Sequence, residues 1–132
     1  MRWNGEIDFL KKSQKIGLPY DARCQRIDHM LGFVRRCLAI LDGVDEEMYL
    51  SSLDKQEQVE LNMLHLGEAA ARVSDEVKES HPDLPWHEMV GMRNVLTHEY
   101  FRVKPIVLYE TVRSEFVALE KKLERLQGEY PL

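Results

Sequence analysis

The sequence predicts an all-α protein, an antiparallel bundle of four main helices. Apolar residues recur every three or four positions through most of the chain, which is the period of an amphipathic helix. No segment alternates apolar and polar residues as a half-buried strand does, and no internal repeat is present. The connections between periodic segments are short, which favours antiparallel neighbours. With 132 residues, the chain has the length of one domain with one core.

The first two main helices are predicted from their apolar stripes. One begins at Asp21 and ends before Asp42-Gly43, a typical turn pair. A short helical turn over 45–50 follows, and Asp54 can then cap a long helix that continues to His81-Pro82. The residues predicted to be buried are Cys24, Ile27, Leu31, Val34, Leu38 and Leu41 in the first helix, and Val59, Met63, Leu66, Ala70, Val73 and Val77 in the second.

Two prolines introduce the remaining main helices. Pro85 suits a first helical turn and opens a third helix that is predicted to continue through Tyr100. Pro105 opens the last helix, which is predicted to stop before Gly128. The residues of this helix predicted to be buried are Leu108, Val112, Phe116, Leu119, Leu123 and Leu126.

Residues 1–20 are predicted to be an N-terminal extension, and residues 21–132 the helical bundle domain. The extension contains a short predicted helix from Glu6 to Ile16, which Gly17 and Pro19 would end. The sequence leaves open whether this helix packs on the bundle or projects toward a partner.

Composition and charge narrow the class of protein. No stretch has the roughly 18 apolar residues of a membrane span, and the start lacks the apolar core of a signal peptide, so a cytoplasmic protein is expected. Cys24 and Cys37 lie about 20 Å apart on one predicted helix, so they are expected to be buried free thiols. The formal charge of −5 disfavours a protein that coats nucleic acid through a broad basic surface.

The third helix concentrates groups that can act on a phosphate. With Arg93 at zero on a helical wheel, Asn94 lies near 100°, His98 near 140° and Tyr100 near −20°, all away from the apolar side. Arginine can stabilise charge on phosphate oxygens, and histidine can transfer protons near neutral pH. In RNA the ribose 2′-hydroxyl supplies the nucleophile, so neither a metal nor a protein nucleophile is required. The same pattern also fits a solvated helix face.

The angular separation of Arg93 and His98 is too wide for a pair within one helix. A second copy of the helix, related by two-fold symmetry, could line one cleft with two arginines and two histidines. The small residues of 67–71 in the preceding helix predict a close helix approach, either within the monomer or across a dimer.

These residues resemble the HEPN superfamily of helical RNases and, within it, the HepT-like toxins, also known as the DUF86 family. Their R-x4-H-x-Y motif is matched by Arg93, His98 and Tyr100, with Asn94 as the polar residue after the arginine. The resemblance covers residues 22–127, and its flanking segments are Gly67-Glu68-Ala69-Ala70, His81-Pro82-Asp83-Leu84-Pro85-Trp86, Gly91-Met92 and Tyr100-Phe101.

The resemblance implies a HEPN-like bundle that dimerises around a composite, metal-independent RNase cleft. Arg93 would hold the phosphate, His98 would act as general acid or base, and Asn94 would help position the RNA. Cleavage would leave a 2′,3′-cyclic phosphate and a 5′-hydroxyl. The family further implies a toxin whose antitoxin, an MNT-type minimal nucleotidyltransferase, silences it by transferring AMP to Tyr100. The alternative is a non-catalytic helical module that only docks the nucleotidyltransferase.

No cofactor or metal is expected. His81 and His87 have a poor spacing for zinc, and no phosphate-binding glycine loop is present. His81 and Trp86 are expected to be structural and to close the turn before the third helix. The acidic net charge leaves the RNA substrate open: if the basic residues do not gather near the cleft, one exposed segment of a structured RNA such as tRNA is favoured over long RNA. The basic residues that could gather there are Arg35, Arg36, Arg72, Arg102 and Lys104.

Overall fold

The structure, a computed structural model, describes residues 22–130, with side chains from Gln25 onward. Within that range every regular element is helical, and no strand is present. The helices are α1 (Ala22–Ile40), α2 (Glu46–Leu50), α3 (Leu53–Ala71), α4 (Asp75–Ser80), α5 (Trp86–His98) and α6 (Pro105–Glu129), with a 3-10 turn (Tyr100–Arg102) between the last two.

Helix α3 lies at the centre of the bundle, where it packs against both α1 and α5, and α1 also packs against α6. The α1–α3 pair is antiparallel, since the Arg26 side chain near the start of α1 donates to the Arg72 carbonyl just after α3, at 2.6 Å. The α1–α6 pair is antiparallel too, because Gln127 near the end of α6 donates to Asp28 at 2.7 Å. The predicted all-α bundle of four main helices is therefore confirmed.

The predicted core residues are buried with few exceptions. All six predicted positions of α6 are buried, as are all six predicted for the second helix. Leu38 is only partly buried at the edge of the core, and the side chain of Cys24 lies outside the described part of the chain. Cys37 is a buried free thiol as predicted, and burial raises its pKa to about 12.

The prediction of one long helix from Asp54 to His81-Pro82 is wrong in two respects. The helix begins two residues earlier, because Ser52 and not Asp54 is the cap, its hydroxyl accepting from the Lys55 N–H at 3.3 Å. It also ends at Ala71, and a second cap at Ser74 starts the separate helix α4. The apolar period continues across this break, so periodicity alone could not reveal it.

The prediction that the third helix continues through Tyr100 is also wrong. Helix α5 ends at His98, and Glu99 leaves the helical conformation with φ −138° and ψ 37°. The chain must then become extended at Lys104, because a residue that precedes a proline is disfavoured in the helical region. The break therefore allows Pro105 to start α6 in a new direction.

The other predicted ends are close to those observed. Gly43 turns the chain after α1 with a positive φ of 69°, and α6 includes Gly128 and ends one residue later. None of the helices within residues 22–130 combines the length and apolar character that a membrane crossing requires. The predicted extension over 1–20 and its helix lie outside the described residues.

Candidate active site

The start of α5 is fixed by the turn around His81. The Trp86 indole N–H donates to the His81 carbonyl at 2.9 Å, and the His81 ring lies 3.1 Å from the Val77 carbonyl and 2.5 Å from a Glu129 carboxylate oxygen. Burial lowers the pKa of His81, but its bonds to Glu129 and Val77 outweigh burial and raise the pKa overall. His81 and Trp86 thus have the structural role that the sequence predicts, and they anchor α5 to α4 and α6.

Helix α5 crosses α3 at Gly67, where the two backbones come very close together. A β-carbon added to Gly67 would lie 2.3 Å from the Arg93 Cβ and 2.6 Å from the Met89 carbonyl oxygen. Glycine is therefore required at this crossing, because any other side chain would have to displace α5. The small residues at 67–71 predicted a close helix contact, either within the monomer or across a dimer. At Gly67 the contact is within the protomer.

Arg93 is oriented by this crossing and by an acidic neighbour. Its Nε lies 3.3 Å from the Glu68 carboxylate, and its side chain is 25% exposed. The buried Nε–H has no hydrogen-bond partner among the described residues, so the contact with Glu68 is an ion pair and not an aligned hydrogen bond. In the sequence, Glu68 was noted only within a segment that resembles the family. Its pairing with Arg93 could not be predicted without knowing where α5 crosses α3.

His98 is the last residue of α5, and its side chain is exposed, as is that of Asn94. Arg93 and His98 lie in one continuous helix, so the predicted separation of about 140° around the axis applies, with a rise of about 7.5 Å between them. The Thr97 hydroxyl between them donates to the Arg93 carbonyl at 2.7 Å. Arg93 and His98 therefore lie in the C-terminal half of α5 and point in different directions.

Tyr100 does not share the helical face of Arg93, contrary to the wheel, because it lies beyond the end of α5 in the 3-10 turn. This turn presents Tyr100 and Phe101 to solvent, with exposed fractions of 72% and 75%. Their rings meet edge to face, with centroids 6.0 Å apart and planes at 83°. The pattern of apolar residues did not predict this exposed aromatic pair.

Two of the five candidate basic residues follow α5 directly. Arg102 lies in the 3-10 turn, where it contacts Glu99 at 3.1 Å, and Lys104 is exposed next to α6. Arg35 is held on the α1–α6 face by two α6 glutamates, Glu120 at 3.2 Å and Glu124 at 2.8 Å. The remaining two are Arg36, whose guanidinium lies over Phe33, and Arg72, which follows α3.

Grooves flank α5 on its apolar side. The larger, of about 660 Å³, lies between the start of α5 and α6 and is lined by residues that include Met89, Met92 and Lys122. The smaller, of about 350 Å³, is lined by Val95, Val107 and the basic residues Arg102 and Lys104 among others. Arg93 and His98 line neither groove. Over residues 22–130 no three His, Cys, Asp or Glu side chains are grouped as a metal site would need.

The fold and the ordered residues of α5 define a class of protein. An all-α bundle in which one helix carries Arg93, Asn94 and His98, with Tyr100 two residues after its end, is a HEPN-like bundle. The chain belongs to the ribonuclease HepT-like family, whose family model matches residues 30–126.

Archaeal relatives match the chain over part of its length. It is 40% identical over 62 residues to a Thermococcus cleftensis protein named "Probable ribonuclease HepT". The aligned residues make up 47% of this chain and 56% of that protein. It is 37% identical over 59 residues to "Putative RNase MJ1380" of Methanocaldococcus jannaschii, covering 45% of this chain and 54% of the relative. The chain thus spans about half the length of these relatives. No solved structure matches the chain.

Proposed function

We propose that this chain is a metal-independent endoribonuclease, the toxin of a toxin–antitoxin pair, whose cleft is completed by a second copy. The observation that carries the proposal is the placement of Arg93, Asn94 and His98 in the C-terminal half of one helix of a ribonuclease HepT-like bundle. The names of the relatives, which give ribonuclease activity, support the same reaction class.

The reaction uses the nucleophile of the RNA itself. The ribose 2′-oxygen forms a bond to phosphorus while the bond from phosphorus to the 5′-oxygen breaks. A base takes the proton of the 2′-hydroxyl, and an acid gives a proton to the departing 5′-oxygen. The products are a 2′,3′-cyclic phosphate and a 5′-hydroxyl, so atoms and charge balance without a metal or an external oxidant.

Each residue has a role that suits its chemistry. Arg93 stabilises the charge that grows on the non-bridging phosphate oxygens, with its planar fork of donors held at the α3 crossing by Glu68. His98 is exposed at the helix end and transfers a proton as acid or base. Asn94, exposed one residue after Arg93, helps to position the RNA.

A second copy of the chain accounts for the angle between the two main groups. Because Arg93 and His98 point about 140° apart on α5, one protomer does not direct both at the same phosphate. Two copies related by a two-fold axis can place one protomer's histidine beside the partner's arginine. The exposure of His98 leaves this end of α5 accessible to such a copy.

In cells, expression of the wild-type chain without its antitoxin is expected to arrest growth and to cleave RNA, with a structured RNA such as tRNA as the favoured substrate. Co-expression with an MNT-type nucleotidyltransferase is expected to restore growth. The measurement is growth after induction, together with sequencing of RNA ends. If expression of the chain without its partner changes neither growth nor RNA ends, the result would favour the non-catalytic docking module instead.

Tyr100 is the proposed acceptor of AMP from the nucleotidyltransferase. Its hydroxyl-bearing ring is 72% exposed, which meets the access requirement of a modifying enzyme. Incubation with the nucleotidyltransferase and ATP is expected to increase the intact mass of the chain by AMP. Tyr100→Phe should stay unmodified, whereas Tyr109→Phe, which removes a partly buried tyrosine hydroxyl on α6, should be modified as wild type. An AMP adduct on Tyr100→Phe would identify a different acceptor.

A further inference from the structure

The most exposed large apolar side chains in residues 22–130 are two neighbouring aromatic rings, Tyr100 and Phe101. The other exposed apolar residues in this range are aliphatic, and the next most exposed is Leu53 at 66%. Burial of an aromatic ring of this size is favourable, so two adjacent rings left exposed are candidates for contact with a ligand. Tyr100 has a proposed role in regulation, but Phe101 has none.

Backbone hydrogen bonds order the turn that carries both rings. The Arg102 N–H donates to the Glu99 carbonyl at 2.8 Å, and the Val103 N–H donates to the Tyr100 carbonyl at 3.2 Å. The edge-to-face contact at 6.0 Å lies within the range of a favourable aromatic pair. The rings therefore brace each other while each keeps a face open to solvent.

The chain segment that carries the rings is net positive, in contrast to the whole chain, and within it Arg93 pairs with Glu68 and Arg102 pairs with Glu99. Between residues 93 and 104 there are three permanent positive charges, on Arg93, Arg102 and Lys104, and one negative charge on Glu99. The net charge of this segment is thus +2, whereas the chain carries −5. By contrast, the exposed aliphatic residues around α2 lie beside the acidic pair Glu46 and Glu47.

Aromatic rings among basic residues are the pattern with which proteins bind single-stranded RNA. The rings stack on unpaired bases and the cations contact the phosphates. We infer that Phe101, braced by Tyr100, is a stacking platform for an unpaired nucleobase beside the phosphate that Arg93 and His98 act on. This inference rests on the proposed ribonuclease function and names a substrate-positioning residue for it.

The platform also places regulation and substrate binding at the same turn. Phe101 follows Tyr100 directly, so a nucleotide joined to the Tyr100 hydroxyl brings its own base within reach of the Phe101 face. That base competes with the RNA base, and its phosphate adds negative charge to a positive segment.

The test separates stacking from general apolar contact. The probe is a short fluorescein-labelled single strand of mixed sequence with 2′-O-methyl riboses, which has no 2′-hydroxyl and so binds without being cleaved. A second probe of equal length has abasic sites in place of the bases. Fluorescence anisotropy gives the Kd of each probe for wild type, Phe101→Ala, Phe101→Leu and Phe101→Trp. Leu53→Ala, another exposed apolar truncation, is the matched control.

Phe101→Ala and Phe101→Leu are expected to weaken binding of the base-containing probe about tenfold, and Phe101→Trp to retain it. Wild type should bind the abasic probe about tenfold more weakly, whereas Phe101→Ala should bind both probes alike. Leu53→Ala should match wild type throughout. Wild-type binding by Phe101→Leu, or equal wild-type affinity for the two probes, would overturn the platform.

Light scattering and RNA cleavage distinguish a failure of the stacking platform from a failure of the proposed ribonuclease function. If Phe101→Ala lowers the mass of the protein in light scattering, the ring belongs to a protein interface and the platform is wrong. If wild type cleaves unmodified RNA and every Phe101 variant binds and cleaves equally well, only the platform fails. If wild type neither binds the probe nor cleaves RNA, the proposed function fails as well.

Discussion

Arg93→Ala is expected to lower the rate of RNA cleavage by about 10²- to 10³-fold, because it removes the donors that stabilise charge on the phosphate. His98→Ala is expected to lower it by about 10²- to 10⁴-fold through loss of proton transfer. The measurement is the single-turnover cleavage rate of a structured RNA such as a tRNA transcript. Because His98 is exposed at the end of α5, its truncation should leave the unfolding midpoint unchanged.

The chain offers matched controls for both substitutions. His87→Ala removes another exposed histidine from the same helix, and Arg125→Ala removes an exposed arginine from α6. Both should cleave at the wild-type rate. Arg93→Lys keeps the charge but loses the planar fork, so its rate should fall between those of wild type and Arg93→Ala. Wild-type rates for both Arg93→Ala and His98→Ala would exclude α5 as the source of catalysis.

Gly67→Ala is expected to destabilise the fold by about 1–3 kcal/mol, because one added methyl group overpacks the α3–α5 crossing. The methyl would lie 2.3 Å from the Arg93 Cβ and 2.6 Å from a backbone carbonyl, neither of which can rotate away. Helix α5 must therefore shift. Since a displacement of about 1 Å can reduce catalysis about 10²-fold, cleavage should fall even where the variant is folded.

The control is the same substitution at Gly91, inside α5, where an added Cβ would meet nothing within 4 Å. Gly91→Ala should stabilise the protein by about 0.5–1 kcal/mol, since alanine is the better helix former. Urea unfolding of both variants gives the comparison. Equal stabilities for Gly67→Ala and Gly91→Ala would mean that the close crossing at Gly67 is absent in solution.

The apolar period predicted the helices and core because burial imposes it directly. Leu108 to Leu126 in α6 and Val59 to Ala70 in α3 follow the stripe that the bundle buries. The same period hid the break after Ala71, since Val73 and Val77 stay in the core on either side of the Ser74 cap. Sequence periodicity thus reports which residues face the core and is insensitive to a change of helix.

Part of the candidate site was predicted because helical spacing sets the direction of each side chain. Arg93 and His98 lie on one helix, so their angular relation followed from their spacing. Tyr100 lies beyond the end of the helix, so a helical wheel does not give the direction of its side chain. The Glu68 ion pair and the Gly67 contact depend on where α5 crosses α3, which only the packed structure specifies.

Helix α5 is proposed to carry the catalytic residues of a metal-independent ribonuclease. The most direct measurement is the chemistry of the RNA ends left by the purified wild-type chain in the presence of EDTA. The wild-type chain is expected to leave 2′,3′-cyclic phosphate and 5′-hydroxyl ends. His98→Ala should produce far fewer of these ends. Ends that are 3′-hydroxyl and 5′-phosphate, or cleavage that EDTA abolishes, would contradict it.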